Sequence, residues 1–491
     1  MILASFLAAL GFFLIVGMSS FVRSRGTTAD YYLASGVVHP ALVGVSAFAT
    51  NNSGYMFIGV IGFTYTSGLA ATWLMVGWIV GDLLGSLAVH RQLKLRALQS
   101  GELSFGGLLA CWGGREHRTV RILGAVLTIV FLGAYAAAQL SAGGKALQSI
   151  FGWNAHTGAV LVALIVVLYC LAGGLRASIW TDLAQAAVML LAMGVLLWAA
   201  VDGLGGLGAS LDRLRAIPGH MNWFPDDLLI PGFSGAALFA VGWLFAGLSA
   251  IGQPHLMIRF MALDDPERLA HARIWYYTLF AIFYAMATGV GLLARVYLPE
   301  LASLDPELAL PTMALQLLPA LVVGVVLAGI FAATMSTADS LVLSCSASFT
   351  HDLAPRSTRS LWISKAVTLT VTAFALAISI AGPSSVFTLV ILSWSTLASV
   401  FAPLVVVYAR GGRPSQALAV TMMIVSPLVA LLWRYFGLHE HIYEGMPGIL
   451  TGLLVYYVGA RLGSAPADEN AALHGAANKL ASDQRSESKV C

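Results

Sequence analysis

Three short polar runs stand out in a chain that is otherwise strongly apolar. The first, SAFATNNSG at 46–54, sets Asn51 and Asn52 beside Ser53 and Gly54. These are poor helix formers, and Asn and Ser side chains compete for backbone groups. A helix interrupted there frees carbonyl oxygens. The second, FAGLSAIGQPHLMIRF at 245–260, places Gln253 before Pro254. Proline lacks an N–H and clashes with the preceding turn, so the helix must kink or stop. The third, AGIFAATMSTADS at 328–340, carries Ala333, Ser336 and Thr337 at i, i+3 and i+4, on one helical face. A lone Ser-Thr pair in a helix simply bonds back to a carbonyl one turn earlier. Beside a broken helix, two hydroxyls and freed carbonyls form a set of hard, neutral oxygens that suits an alkali cation. With no carboxylate in the set, a monovalent ion is favoured over calcium.

The elements that hold these runs belong to a membrane. Of 491 residues, 58% are hydrophobic and only 10% charged, and the mean hydropathy is +0.84. Soluble domains carry about a quarter charged residues. Thirteen apolar segments follow, near 2–22, 40–64, 68–90, 120–144, 157–172, 178–201, 234–254, 273–297, 315–345, 361–381, 386–409, 414–436 and 442–462. This is an all-α polytopic membrane protein, and no water-soluble fold accommodates it. The first segment has no basic n-region or small-residue cleavage site and reads as a retained span. The polar stretch after Leu462 reads as a disordered tail. Cys111, Cys170, Cys345 and Cys491 fall singly, which suggests neither a disulfide framework nor a zinc site.

With thirteen spans, only Lys145, Arg213, Arg215, Arg295 and Arg434 of the 26 basic residues fall on one side. The positive-inside rule then puts the N-terminus outside and the C-terminus in the cytoplasm. Arg259 is counted among the cytoplasmic loop charges, and no Lys or Arg is expected at mid-membrane depth. Three acids fall in or at the ends of spans: Asp82, Asp182 and Asp339. Asp82 reads as structural and Asp339 as a helix cap or a pairing partner. Asp182 is either functional, as intramembrane acids are by default, or an acid set favourably on a helix dipole.

Irregular backbone at membrane depth is tolerated only where it is buried in protein or lines a cavity. The interruptions therefore mark a site. Span seven lies five after span two, which fits two inverted repeats of five helices. The divisions are 1–28 (an extra helix), 29–203 and 204–410 (the repeats), 411–463 (two peripheral helices) and 464–491 (the tail).

Together DYYLASG (30–36), SAFATNNSG, LAGGLRASIWTDLAQ (171–185), GQPHLMIRFMALDD (252–265) and AGIFAATMSTADS resemble the sodium/solute symporter family, from residue 30 to about 410. The resemblance implies a leucine-transporter-like fold of thirteen helices, alternating access and sodium as coupling ion. It also implies sodium ligands: the carbonyls of Ala49, Asn52 and Ala333 and the hydroxyls of Ser336 and Thr337. Asp182 matches a family acid on the ion's path to the cytoplasm. Departures fall on Asn51, an aspartate in the family's proline carriers, on Ala246 and Ala250, where those carriers present aromatics, and on Gly36, where they have arginine.

Spans two, four, seven and nine should frame the solute, which makes Asn51, Tyr55, Tyr135, Gln139, Trp243, Phe245 and Gln253 candidate contacts. The expected function is sodium-coupled import of a small organic solute: proline, another small amino acid or an organic acid. The implied partners are the solute, sodium and the lipid bilayer of a bacterial-type inner membrane, with no nucleic acid and no set oligomeric state. The rivals are a proton-coupled carrier using Asp182 and a transporter-like sensor. Filter-residue rings that would mark a channel and HExxH or GxSxG motifs that would mark an enzyme are not found in the spans.

Overall fold

In lipid, apolar runs of this length can satisfy their backbone groups internally only as helices. A computed structural model describes residues 1–20, 25–354, 360–382 and 385–462. Among them the chain forms eighteen α-helices. The first half comprises α1 (Ile2–Ser19), α2 (Thr28–Leu33), α3 (Pro40–Asn51), α4 (Ile61–Ser67), α5 (Thr72–Ser100), α6 (Phe105–Ala110), α7 (Arg118–Phe151), α8 (Ala155–Gly203) and α9 (Leu207–Arg215). The second comprises α10 (Phe233–Leu248), α11 (Pro254–Met261), α12 (Leu269–Tyr297), α13 (Ala309–Leu317), α14 (Ala320–Ala347), α15 (Leu361–Ala381), α16 (Val386–Ala409), α17 (Gln416–Tyr435) and α18 (Gly445–Leu462).

Each apolar segment of the sequence falls on helix, and ten helical stretches are long and apolar enough to cross a membrane. Two expected spans, 157–172 and 178–201, are arms of α8, bent where Gly174 takes φ 56 and ψ −139. A Cβ at Gly174 would lie 2.3 Å from the Tyr31 carbonyl, so only glycine allows both that conformation and that approach. Elsewhere, α5 continues to Ser100 instead of ending near residue 90. Leu93 and Ala97 keep its buried face going, and Lys94 Nζ reaches the Met261 carbonyl at 2.9 Å.

Both expected interruptions are present. α3 stops at Asn51, Asn52 leaves helical geometry (φ −86, ψ 69), and the chain resumes as a π-helical turn over Tyr55–Val60 that runs into α4. α10 tightens into a 3₁₀ turn over Ser249–Gly252, Gln253 is extended, and Pro254 opens α11 at its first position. α14 packs between α7 and α8 and against α3, which brings the third polar run beside the first. The outer ends of α3 and α11 are tied as well: Val38 N–H donates to Ala262 O and Asp264 N–H donates to Val38 O, each at 3.0 Å.

α2 is latched to the bend in α8. Asp30 accepts from Arg176 Nη2 at 2.5 Å, from the Arg25 N–H at 2.8 Å and from Ser35 Oγ at 2.9 Å. Burial pushes its carboxyl up, but these three donors outweigh it and hold it below the usual range. A depressed folded-state pKa stabilises above the unfolded value of about 3.9, and that contribution is lost as pH falls through the folded value. Asp30→Asn should therefore cost about 3 kcal/mol at neutral pH by leaving Arg176 short of its partner. Thermal melts of the purified variants check this, and the gap to wild type should shrink below about pH 4.

Candidate functional site

The site grows out of the break in α3. Ser336 Oγ on α14 donates to the Ala49 carbonyl at 2.9 Å and lies 3.1 Å from the Ala333 carbonyl. Thr337 Oγ1 donates to the Thr50 carbonyl at 2.8 Å. All are fully buried. Four of the five residues expected around sodium thus converge, and the fifth, Asn52, occupies the break itself. Its amide bonds back to the Phe48 carbonyl at 2.9 Å while its Oδ1 has no partner. The oxygens here are carbonyls and hydroxyls, hard and uncharged, the donor set of an alkali cation.

Just past the break, α7 supplies the two side chains that hold its loose backbone. Gln139 Oε1 accepts the Gly54 N–H at 2.8 Å, and Tyr135 Oη donates to Ser53 Oγ at 3.3 Å. That bond fixes the Gln139 amide so that its Nε2 points elsewhere, without a partner. At the second break, Gln253 Nε2 donates to the carbonyls of Ser249 (3.2 Å) and Trp394 (2.8 Å), which leaves Oε1 unpartnered. The Tyr55 hydroxyl and the Trp78 indole N–H are also buried without partners. Buried polar atoms are ordinarily satisfied. Buried neutral donors and an acceptor left unpartnered beside the two breaks are what a polar solute would complete.

Aromatic rings enclose this cluster. Tyr55 lies 5.9 Å from Trp78 and 5.4 Å from Phe387, and Trp78 lies 4.9 Å from Trp394. Trp394 fills the space beside Ala246, donating its indole N–H to the Ala246 carbonyl at 3.0 Å. The small residues of α10 thus make room for a ring from α16. Phe387 is held by Glu307, which accepts from the N–H groups of Phe387 (2.9 Å) and Val386 (3.2 Å) and pairs with Lys145 at 2.6 Å. Above these rings a cavity of about 780 Å³ is lined by Phe63, Trp243, Phe387 and Tyr443, with Asp226 and Glu440 at its polar wall. Trp243 therefore lines the approach rather than the break. Phe245 is half-buried and packs against the apolar core.

Asn51 turns away from the carbonyls and hydroxyls gathered at the break. Its Nδ2 donates to Tyr276 Oη at 2.5 Å, and that hydroxyl donates on to Asp82 at 2.5 Å. Asp82, read as structural, is thus two hydrogen bonds from the break.

Three residues escaped the sequence reading. His255 is fully buried beside Tyr135 (5.5 Å) and Trp394 (6.1 Å), with neither ring nitrogen partnered. Trp394 is the second. The third corrects an expectation. Arg259 is not a loop charge; it lies inside α11 with no exposed surface, 3.3 Å from Asp182 and 3.9 Å from Asp339. A charge flanked by Met257, Ile258 and Phe260 had a warning on both sides, since a loop would not be so apolar. Asp339 is therefore a pairing partner. Asp182 lies two turns beyond Gly174, too far into the helix for the dipole reading.

A profile of the Sodium:solute symporter family matches residues 31–423, which spans both breaks and the α14 hydroxyls. The chain belongs to that family. Sodium-coupled solute import is its function, sodium its coupling ion, and it is a multi-pass membrane symporter rather than an enzyme. The high-affinity proline transporter of Bacillus subtilis is 28% identical over 465 residues, covering 92% of this chain and 96% of that one. The sodium/proline symporter of Escherichia coli is 29% identical, covering 90% of each. Among solved structures, a Na+-coupled sialic acid symporter superposes with a TM-score of 0.79 at 20% identity, over 94% of this chain and 98% of that one. MhsT in complex with L-phenylalanine gives 0.53 at 14%, over 85% and 98%. These two show the shared helical fold.

Proposed function

We propose that this symporter imports a small organic solute (proline, another small amino acid or an organic acid) by alternating access. The observation that carries the reading is the meeting of Ser336 and Thr337 with the carbonyls freed at the break of α3. Sodium would be held by the carbonyls of Ala49, Asn52 and Ala333 and by the two hydroxyls. In bound form it draws α3 onto α14 and fixes Ser53 and Gly54, which α7 grips through Tyr135 and Gln139. Coupling is reciprocal: each ligand raises the other's affinity by the same factor.

The solute's recognition groups on this reading are Gln139 Nε2, Gln253 Oε1, the Tyr55 hydroxyl and His255. None carries a formal charge when His255 is neutral, which suits a solute that brings its own balanced charges. The resemblance to proline carriers supports proline as the first candidate, while Ala246, Ala250 and Asn51 separate this site from theirs. The thirteen-span topology, with the N-terminus outside and two inverted repeats at 29–203 and 204–410, fits the two breaks. The 780 Å³ cavity is lined in part by residues 219–227 and 434–444, on the lysine-poor side, which on this reading is the outer face.

The test is uptake of labelled solutes, led by proline, into proteoliposomes with and without an inward sodium gradient. Sodium-driven accumulation of one solute supports the reading and names the cargo. Uptake that ignores sodium but follows a proton gradient overturns it in favour of the proton-coupled carrier.

A further inference from the structure

Asp82 is a buried acid that the sodium and solute readings leave without a task. It lies inside α5 with no exposed surface, and its partners among the described residues are two phenols: Tyr276 Oη donates to it at 2.5 Å and Tyr277 Oη at 3.2 Å. Burying a carboxylate without a cation is costly, and an apolar residue would build the helix as well. The hydrogen count shows what the acid does. An ionised carboxylate only accepts, and a phenol has one hydrogen. Tyr276 must therefore give that hydrogen to Asp82 and accept from Asn51 Nδ2, which stands 2.5 Å away. Asp82 thus dictates which way the Asn51 amide faces, with Oδ1 turned aside and buried without a partner. Tyr276 cannot withdraw. α12 meets α3 at backbone distance, since a Cβ on Gly44 would lie 2.4 Å from the Ala272 carbonyl, and the Tyr276 ring stacks on Phe280 at 5.3 Å. Asn51 itself ends α3, between Thr50, whose carbonyl accepts from Thr337, and Asn52, where the backbone leaves helical geometry.

We propose that Asp82 is a positioning residue for transport: acting through Tyr276, it holds Asn51 and, with it, the carbonyls that the break of α3 turns toward sodium. The inference rests on the proposed sodium ligands. One phenol serves one carboxylate and one amide, so the two can trade places. In Asn51→Asp/Asp82→Asn the wire runs the other way: the amide at 82 donates to Tyr276, and Tyr276 donates to the carboxylate at 51. Each single variant breaks it. Asn51→Asp sets two carboxylates on one hydrogen, and Asp82→Asn leaves two amides with nothing to fix their direction.

The experiment titrates sodium chloride against choline chloride on the purified full-length protein and follows the melting temperature, whose rise reports sodium affinity. The melting temperature without sodium reports any purely structural loss separately. Asp82→Asn, Asn51→Asp and Tyr276→Phe should each raise the sodium concentration for a given rise by about tenfold or more. The exchanged double variant should return to within about threefold of wild type, where independent sites would multiply to about a hundredfold. A double variant no better than its singles overturns the proposal. So do Asp82→Asn and Tyr276→Phe proteins that respond to sodium as wild type does, whatever their sodium-free melting temperatures. If the acid variants do not fold, Tyr276→Phe, which removes one oxygen, decides alone, and an unchanged sodium response or an unfolded chain overturns the proposal. Should Ser336→Ala/Thr337→Ala respond to sodium as wild type does, the sodium ligands themselves are misassigned and both readings fall. A failed exchange beside a sodium-blind Ser336→Ala/Thr337→Ala concerns only Asp82.

Discussion

Ser336→Ala/Thr337→Ala should abolish sodium-driven uptake at ordinary sodium concentrations. Each hydroxyl is a neutral oxygen aimed at a cation, and an interaction with a charged group is worth about 1.5–3 kcal/mol. Losing both costs about 3–6 kcal/mol, a rise of roughly 10²–10⁴-fold in the sodium concentration for half-maximal uptake. The same hydroxyls donate to the carbonyls of Ala49 and Thr50, so the variant also loosens the broken end of α3 from α14. Two controls separate these effects. Thr337→Ser keeps the oxygen and should stay within about tenfold of wild type. A binding measurement at saturating sodium should show the double variant regaining solute affinity, because the proposed solute contacts Gln139, Gln253 and His255 lie outside α3 and α14, and Tyr55 lies beyond the break. A double variant that retains wild-type sodium dependence would place the ion elsewhere.

The site was legible where the sequence breaks a rule. Two asparagines, a serine and a glycine in an apolar run announced an interrupted helix, and Gln253-Pro254 announced its counterpart. Both interruptions occur at the residues expected, because local chemistry dictates them. The face shared by Ala333, Ser336 and Thr337 followed from helical spacing alone. What could not be read was anything requiring a distant partner. Arg259 looked like one of many cytoplasmic arginines until α8 and α14 brought Asp182 and Asp339 against it. Trp394 lies more than 140 residues from Ala246, so nothing local could show that its ring fills the space those alanines leave. His255 carries no signal by itself, since a histidine in an apolar helix is ordinarily a satisfied one. The gap read at 173–177 is a bend at Gly174 within one helix rather than a loop, so two expected spans are the arms of α8.

A second large effect is expected at the crossing of α5 and α10. VGWIVGDLLG at 76–85 sets Gly77, Gly81 and Gly85 one turn apart, a small-residue stripe that lets helices approach closely in a membrane. A Cβ on Gly81 would lie 2.0 Å from the Leu244 carbonyl and 2.7 Å from the Leu248 N. One on Gly247 would lie 2.3 Å from the Trp78 carbonyl and 2.5 Å from that of Gly77. These obstacles are backbone, which cannot rotate aside, so the helices must separate. Alanine is the better helix former by about 1 kcal/mol. That gain does not offset a rigid overlap costing about 3 kcal/mol or more. The damage extends to transport, because Trp78 stands on one side of the crossing and the Ala246 carbonyl, which anchors Trp394, on the other. Gly81→Ala and Gly247→Ala should each lower the melting temperature by several degrees and reduce uptake at least tenfold, while Gly11→Ala, whose Cβ meets nothing within 4 Å, should be neutral on both measures. If Gly81→Ala melts with wild type, α5 and α10 do not approach at backbone distance, and the enclosure of the solute cluster by Trp78 and Trp394 loses its support.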